Sequence, residues 1–127
     1  MVIHKSFADF VLFLYVHMGH ADGEFHAMEI GIIREKMGKL YPFSDKLDNK
    51  LDEAIQEYNA FDKADLKILF RDTFNHFTNV KFAQKYKVYA DMYDIINADG
   101  KIEMAEEKAL LELKEIIDLS AAVSHQK

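Results

Sequence analysis

The chain reads Ala-Asp-Gly-Glu-Phe at residues 21–25, with Glu29 four residues further on, and it repeats this pattern as Ala-Asp-Gly-Lys-Ile at residues 98–102, followed by Glu106. Each residue of the second copy lies 77 positions after its counterpart in the first. An aspartate followed by glycine is typical of a turn, because glycine adopts left-handed backbone angles at no steric cost. The repeat therefore predicts two matched turns, each carrying two carboxylates and one apolar anchor.

Composition restricts the class of protein. Of the 127 residues, 50% are hydrophobic and 30% are charged, which suits one globular domain that buries about two thirds of its unfolded surface. The chain has no cysteine, so disulfides, thiolate metal ligands and a cysteine nucleophile are excluded. Its net charge of −6 argues against nucleic acid as a partner and favours cations or basic partners.

The apolar run from Phe10 to Val16 has the character of a targeting segment, since Lys5 precedes it. The run is too short to span a bilayer, and no small-residue cleavage site follows it. We interpret it as a buried helix. The chain is accordingly expected to be cytoplasmic, without direct membrane insertion.

Apolar residues recur along the whole chain with the period of an α-helix, and no segment alternates with a period of two. Glycine, proline and capping residues divide this pattern into six predicted helices. They cover roughly residues 5–20, 25–39, a third with Ser44 as N-cap, a fourth running from Asp62 to Asn79, then 82–97 and 102–119. The predicted fold class is all-α, a single-domain bundle of about six helices over residues 1–127.

The same period predicts which faces are buried. On the second helix it selects Phe25, Met28, Ile32, Ile33 and Met37. On the fifth helix it groups Tyr86, Tyr89, Ala90, Tyr93 and Ile96.

Each Ala-Asp-Gly falls between two predicted helices, the first and second in one copy and the fifth and sixth in the other. The sequence thus predicts two pseudo-repeated helical hairpins, joined and covered by the middle pair of helices. We call the two turns the acidic corners.

The acidic corners carry potential metal donors at matched positions. His17 pairs with Asp94 and His20 with Asn97 at the offset of 77, as do the aspartates and glutamates of the repeat. The candidate ligands are Asp22, Glu29, Asp99, Glu106, His17, His20, Asp94 and Asn97. Oxygen-rich corners suit calcium, magnesium or manganese, whereas the imidazoles at the first corner also accept zinc.

The order of carboxylate, glycine, apolar residue and glutamate also occurs in the second half of an EF-hand loop. The first ligand of such a loop would be Met18 in one copy and Ile95 in the other, and neither binds a hard cation. High-affinity calcium binding of the EF-hand type is therefore not expected.

A purely structural interpretation accounts for the same residues. Glycine ends a helix in the left-handed conformation, and aspartate favours the turn before it. The apolar anchor enters the core, and the glutamate lies near the positive end of the next helix dipole. Both interpretations stay open at the level of the sequence.

Other charged and catalytic patterns are weak. The histidines His4, His17, His20 and His26 do not match a known zinc spacing, and we expect isolated surface histidines. Lys81, Lys85 and Lys87 predict a solvated basic face. No phosphate-binding loop and no nucleophile elbow occurs, so the chain is not expected to be an enzyme.

The pattern Ala-Asp-Gly-x-apolar-x-x-x-Glu at two helical corners resembles the TerB-like family, named for a tellurite-resistance protein and also found as a domain of membrane-anchored co-chaperones. The resemblance rests on residues 20–25 with Glu29 and residues 97–102 with Glu106, and it covers nearly the whole chain. It implies a non-enzymatic helical bundle whose acidic corners chelate a metal, with links to stress responses or membrane-associated assemblies. Carried onto this chain, it implicates Asp22, Glu29, Asp99 and Glu106.

We therefore expect a TerB-like module that binds a divalent cation or a protein partner through the two acidic corners. The cation is calcium, magnesium, manganese or zinc. The alternative is a purely structural protein-interaction scaffold with no metal, and a metal-dependent hydrolase is a third, less favoured reading. A protein partner is expected, and the sequence is compatible with a homodimer.

Overall fold

The computed structural model describes residues 1–21, 27–42, 44–77, 79–98 and 100–125. Over these residues the chain forms six α-helices, a short 3₁₀ turn and no strand, which confirms the all-α fold class. The helices are α1 (Phe7–Gly19), α2 (Ala27–Leu40), α3 (Leu47–Ala60), α4 (Leu66–His76), α5 (Phe82–Ile96) and α6 (Met104–His125).

Both residues predicted as helix N-caps accept hydrogen bonds from backbone N–H groups that lie outside the α-helices. The Ser44 hydroxyl accepts a hydrogen bond from the backbone N–H of Lys46 at 3.2 Å, and α3 begins only at Leu47, so the prediction that Ser44 caps α3 is wrong. The Asp62 carboxylate accepts from the N–H of Ala64 at 3.0 Å and so caps the 3₁₀ turn that leads into α4.

Helix α4 ends at His76, three residues before the predicted end at Asn79. The next residue, Phe77, leaves the helical conformation with a ψ of 65°. Its ring packs edge-on against that of Phe7 at 5.6 Å between centroids, which draws the chain towards α1. Helix α4 therefore ends where the Phe77 ring packs against Phe7, earlier in the chain than the end predicted from capping residues.

Helix α1 is enclosed by the other helices. It packs against α2, α3, α5 and α6, and the Phe10 ring meets Phe70 and Phe74 of α4. Every residue from Phe10 to Val16 is buried. A helix that is apolar on all sides is stable only when no face meets water, so this arrangement confirms the buried helix predicted for that run.

Aromatic rings connect α1 to α3 and α4. The Phe10 and Phe74 centroids are 5.1 Å apart in an edge-to-face arrangement, and the Phe13 and Tyr58 centroids are 5.4 Å apart. Such pairs stabilise a core by about 0.5–1.5 kcal/mol each beyond the area they bury. These contacts hold α3 and α4 against α1.

The buried face of α5 differs from the predicted one. Its buried residues are Lys85, Val88, Met92, Ile95 and Ile96. Tyr86 and Tyr93, predicted with the inner face, are 47% and 45% exposed. The aliphatic stripe and the aromatic stripe both have helical spacing on this helix, so periodicity alone could not choose between them.

The prediction for α2 is wrong at one position. Met28 is 56% exposed, whereas Ile33 and Met37 are fully buried and Ile32 is half-buried. Phe25, the fifth residue of that predicted face, lies outside the described residues.

The prediction of a solvated basic face is wrong at Lys85. Its side chain is 1% exposed, and the ammonium donates a hydrogen bond to the backbone carbonyl of Phe74 at 3.3 Å. That carbonyl belongs to the last turn of α4, where carbonyls lack helical partners and a lysine is favourable. Burial lowers the pKa of Lys85 below its ordinary value.

The helix ends reproduce the sequence repeat. Helices α1 and α5 end at Gly19 and Ile96, and helices α2 and α6 begin at Ala27 and Met104. In each pair the second residue lies 77 positions after the first, which confirms two pseudo-repeated helical hairpins.

Helices α1 and α5 run in the same direction. Phe74 contacts Phe10 near the start of α1 and Lys85 near the start of α5. Further along both helices, the Tyr15 hydroxyl donates to the Asp91 carboxylate at 2.8 Å. The C-terminal ends of α1 and α5, which lead into the two acidic corners, therefore lie at the same end of the bundle.

None of the helices in the described ranges combines the length and apolar character needed to cross a membrane.

We predict that Phe10→Ala lowers the free energy of unfolding by about 3–5 kcal/mol, because the ring is fully buried and its removal leaves a cavity. Urea unfolding followed by circular dichroism measures the loss. Phe82→Ala makes the same chemical change at a residue that is 42% exposed and serves as the control. An equal loss in the two variants would contradict the central position of α1.

Candidate functional site

The acidic corners are described in part. Asp22 and Asp99, the two aspartates among the candidate ligands, lie outside the described residues, as do Gly23 and His26. The other six candidates lie within them, and their surroundings show which side chains already have structural contacts.

Glu29 and Glu106 occupy matched, buried positions. Each is 4% exposed and lies in the first turn of the second helix of its hairpin. A buried carboxylate is costly unless hydrogen bonds or positive charge compensate it, and the N-terminus of a helix supplies both. The repeat has therefore preserved a buried carboxylate at each corner.

The contact of Glu106 is visible in part. Its Oε1 accepts a hydrogen bond from the backbone N–H of Glu103 at 2.9 Å, immediately before the first residue of α6. A glutamate that reaches back to this amide forms one half of a capping box. Glu106 thus stabilises the start of α6, as the structural interpretation predicts.

The turn at the second corner has the expected backbone. Gly100 has a φ of +79°, in the left-handed region that favours glycine, and its N–H donates to the carbonyl of Asn97 at 3.0 Å. Asn97 is exposed and ends α5 through its own backbone N–H, which donates to the carbonyl of Tyr93 at 3.1 Å. Glycine is required here for the chain to turn from α5 towards α6.

His17 lies on α1, is half-buried, and contacts aromatic side chains of α3 and α4. Its Nδ1 hydrogen-bonds the Tyr58 hydroxyl at 2.9 Å, and its ring packs edge-on against Phe70 at 5.0 Å. Burial lowers the pKa of His17 from 6.5 to about 4, with smaller contributions from the nearby charges of His20 and Lys63. The imidazole is therefore neutral at physiological pH.

His20 and His17 both contact the side chain of Tyr58. The Nδ1–H of His20 donates to the carbonyl of Val16 at 2.8 Å, and the ring lies 4.8 Å from that of Tyr58. His20 thus contacts its own helix and the aromatic core.

His4 also contradicts the expectation of surface histidines, as His17 does. It is 8% exposed, its Nε2 lies 2.6 Å from Glu57 Oε1, and its ring packs against Phe13 at 5.1 Å. The N-terminal segment carries it onto α1 and α3, an arrangement that no local pattern indicates.

Asp94 is held by a lysine. The Lys36 ammonium lies 3.0 Å from Asp94 Oδ2 and 3.0 Å from Asp91 Oδ1, and Tyr15 donates to the other oxygen of Asp91. Burial works against the charge of Asp91, but these hydrogen bonds and the lysine charge hold its pKa below its ordinary value. Burial works against the charge of Lys36 as well, and its bonds to Asp94 and Asp91 raise its pKa above the ordinary value. A cation at Asp94 would have to displace this ammonium.

This network was missed by the sequence reasoning. Lys87 and Asp91 are four residues apart on α5 and give a local hint, since such pairs support helices. The link from Asp91 to Tyr15 and Lys36 joins three helices, and only their packing creates it.

Two buried residues bear on the comparison of the acidic corners with an EF-hand loop. Met18 and Ile95, at the first ligand position of such a loop, are both 0% exposed. They belong to the core of α1 and α5, so neither side chain is placed as the first ligand of such a loop.

Within the described part of the chain, no group of three or more histidine, aspartate or glutamate side chains is arranged to hold a metal ion. Asp22 and Asp99 are not in that part. The ligand set Asp22, Glu29, Asp99 and Glu106 stays a prediction.

The chain belongs to the TerB family, because the family model described as tellurite resistance protein TerB matches residues 8–127. This match confirms the resemblance drawn from the two acidic corners. No curated protein and no solved structure gives a significant match.

We predict that Glu106→Ala lowers the free energy of unfolding by about 1–2 kcal/mol, since it removes the acceptor for the Glu103 N–H. Glu106→Gln keeps an oxygen acceptor and should cost less. Glu107→Ala, at an exposed position in the same turn, is the control. Chemical unfolding measures all three, and an equal loss for alanine and glutamine at position 106 would contradict the capping contact.

We predict that His17 makes the stability depend on pH. Between its unfolded pKa of 6.5 and its folded pKa of about 4, the unfolded chain binds a proton that the folded chain does not. Its contribution is therefore complete above pH 6.5 and is lost as pH falls towards 4, by on the order of 3 kcal/mol. In urea unfolding from pH 7 to pH 5, His17→Asn should flatten the slope, whereas His76→Asn, at an exposed residue, should retain it.

Proposed function

We propose that this chain is a non-enzymatic, cytoplasmic TerB module that binds one or more divalent cations at its two acidic corners. The observation that carries the proposal is the matched burial of Glu29 and Glu106 beside corners that lie at one end of the bundle. Each corner thus has one buried carboxylate in the first turn of the helix that follows it, and this matched pair supports a cation site.

The charges around the corners support a hard cation. In the sequence each glutamate is preceded by an aspartate, Asp22 before Glu29 and Asp99 before Glu106, so the proposed ligand set has four carboxylates. Like charges at close range raise the free energy of the folded state unless a cation balances them. Carboxylate oxygens are the ligands that calcium, magnesium and manganese prefer.

The other candidate ligands have structural contacts of their own, which argues for a smaller set of metal ligands. His17 and His20 contact Tyr58, and Asp94 is paired with Lys36. We therefore limit the proposed ligands to Asp22, Glu29, Asp99 and Glu106, and an oxygen-only set disfavours zinc.

A second candidate function is a protein-interaction scaffold whose corners only shape the bundle. The capping contact of Glu106 favours it, because one carboxylate oxygen is already engaged by the backbone. On this view the partner binds an exposed helix face, and loss of Asp22 and Asp99 leaves partner binding unchanged.

We predict that calorimetric titration with calcium, magnesium or manganese gives binding heat, and that the double variant Asp22→Ala plus Asp99→Ala abolishes it. The reason is that the double variant removes one proposed ligand from each corner. Zinc is titrated in parallel.

The control is Asp45→Ala plus Asp52→Ala, which removes the same charge at two exposed aspartates. Unchanged heat in this control separates coordination from general attraction of cations to an acidic protein. Absence of heat with all four metals would contradict the cation proposal. A pull-down whose partners survive the double aspartate variant but not changes to an exposed helix face would favour the scaffold.

A further inference from the structure

Residues 1–5 precede α1 without helical structure, and we call them the strap. Residues 1–3 are 40–48% exposed, and Lys5 is exposed as well. His4 is the one buried residue of the strap. Among the residues that the structure describes, no backbone hydrogen bond joins the strap to a helix. Side chains therefore hold the strap in place.

The His4 side chain anchors the strap on two helices. Its ring lies 5.1 Å from that of Phe13 and 5.8 Å from that of Phe10, measured between centroids. Its Nε2 lies 2.6 Å from Glu57 Oε1. His4 thus joins the strap to α1 through its ring and to α3 through one hydrogen bond.

The polar contacts of the strap hold it only weakly. The other ring nitrogen of His4, Nδ1, is buried and has no hydrogen-bond partner within the described part of the chain. Such an atom costs free energy in the closed state and regains a partner when it meets water. The Glu57 side chain is 45% exposed, so water competes for its bond to His4. The Met1 ammonium pairs with Asp72, but both groups are more than one third exposed, and such pairs contribute little.

The strap forms one wall of a cleft of about 300 Å³ between α1 and α3. Ile3, His4 and Lys5 line the cleft on the side of the strap. Leu12 of α1 and Ala54 of α3 are apolar residues of the other walls. Departure of the strap removes one wall of this cleft and uncovers the aromatic rings on which His4 packs.

We propose that the strap is a displaceable lid, which is latched by His4 and opens while the six helices stay packed. Segments that open locally have few buried apolar contacts and few backbone hydrogen bonds, and the strap has both properties. In the closed state His4 itself occupies the aromatic surface of α1. A molecule that binds there has to displace the strap first, so the closed strap is an autoinhibitory contact.

The lid is separate from the acidic corners. The cleft lies beside the first turns of α1, where Asp9 and Leu12 line it, whereas the first corner follows the other end of this helix at Gly19. The proposal therefore does not rest on cation binding.

Thiol labelling tests the opening, since the chain has no cysteine and a single introduced one reports alone. Leu12→Cys places a thiol behind the strap, and Leu14→Cys, at a fully buried residue of the same helix, reports global unfolding. With Ellman's reagent, the Leu12→Cys thiol should react about 10-fold faster or more, and its rate should rise less steeply with urea, because opening of the strap exposes little surface. Equal rates with equal urea dependence would mean that the strap opens only when the bundle unfolds, and would overturn the proposal.

Loss of the latch tests the role of His4. In the Leu12→Cys background, Glu57→Ala should raise the labelling rate about 5-fold, the factor that a hydrogen bond of about 1 kcal/mol gives. His4→Ala should raise the rate further, because it also removes the ring contacts. Circular dichroism confirms that both variants remain folded.

Glu53→Ala is the control for the latch. It makes the same charge change at an exposed residue of the same cleft, one turn before Glu57 on α3, and should alter the rate by less than about 2-fold. If Glu57→Ala and Glu53→Ala raise the rate equally, or if neither Glu57→Ala nor His4→Ala raises it, the thiol is reached without release of His4 and the proposed latch is wrong.

Discussion

Burial of α1 is the constraint on which the rest of the structure depends. Seven consecutive residues, from Phe10 to Val16, leave the helix no side that can meet water, so the other helices have to surround it. The polar groups that α1 carries inward must then find partners on neighbouring helices. Tyr15 donates to Asp91 of α5, and His17 hydrogen-bonds Tyr58 of α3. These contacts position the two hairpins and the helix pair between them.

The same constraint divides the candidate ligands into two groups. His17, His20 and Asp94 serve packing or pairing in the body of the bundle. Glu29 and Glu106 lie at the corners, buried at matched positions in the first turns of α2 and α6. The cation site that we propose for this TerB-family chain is therefore limited to the corner carboxylates.

Prediction from sequence was accurate for the helical period and for the internal repeat. The period of apolar residues located six helices, and the spacing of 77 residues located both hairpins. It failed where two local patterns competed, as on α5, where the aliphatic residues around Val88 and Met92 are buried and Tyr86 and Tyr93 are exposed. It failed also for Lys85, whose burial depends on a carbonyl at the end of another helix. Hydrophobicity has no direction, so a pattern shows that a face is apolar but not which neighbour it meets.

The sequence by itself therefore determined the helical class, the number of helices and the two acidic corners, because periodicity and turn chemistry act over a few residues. Only the tertiary structure decided that α1 and α5 run in the same direction, that the histidines of α1 join the aromatic core, and that Lys36 holds Asp91 and Asp94. Those outcomes depend on side chains far apart in the chain, and the cost of burying a polar group without a partner selects among them.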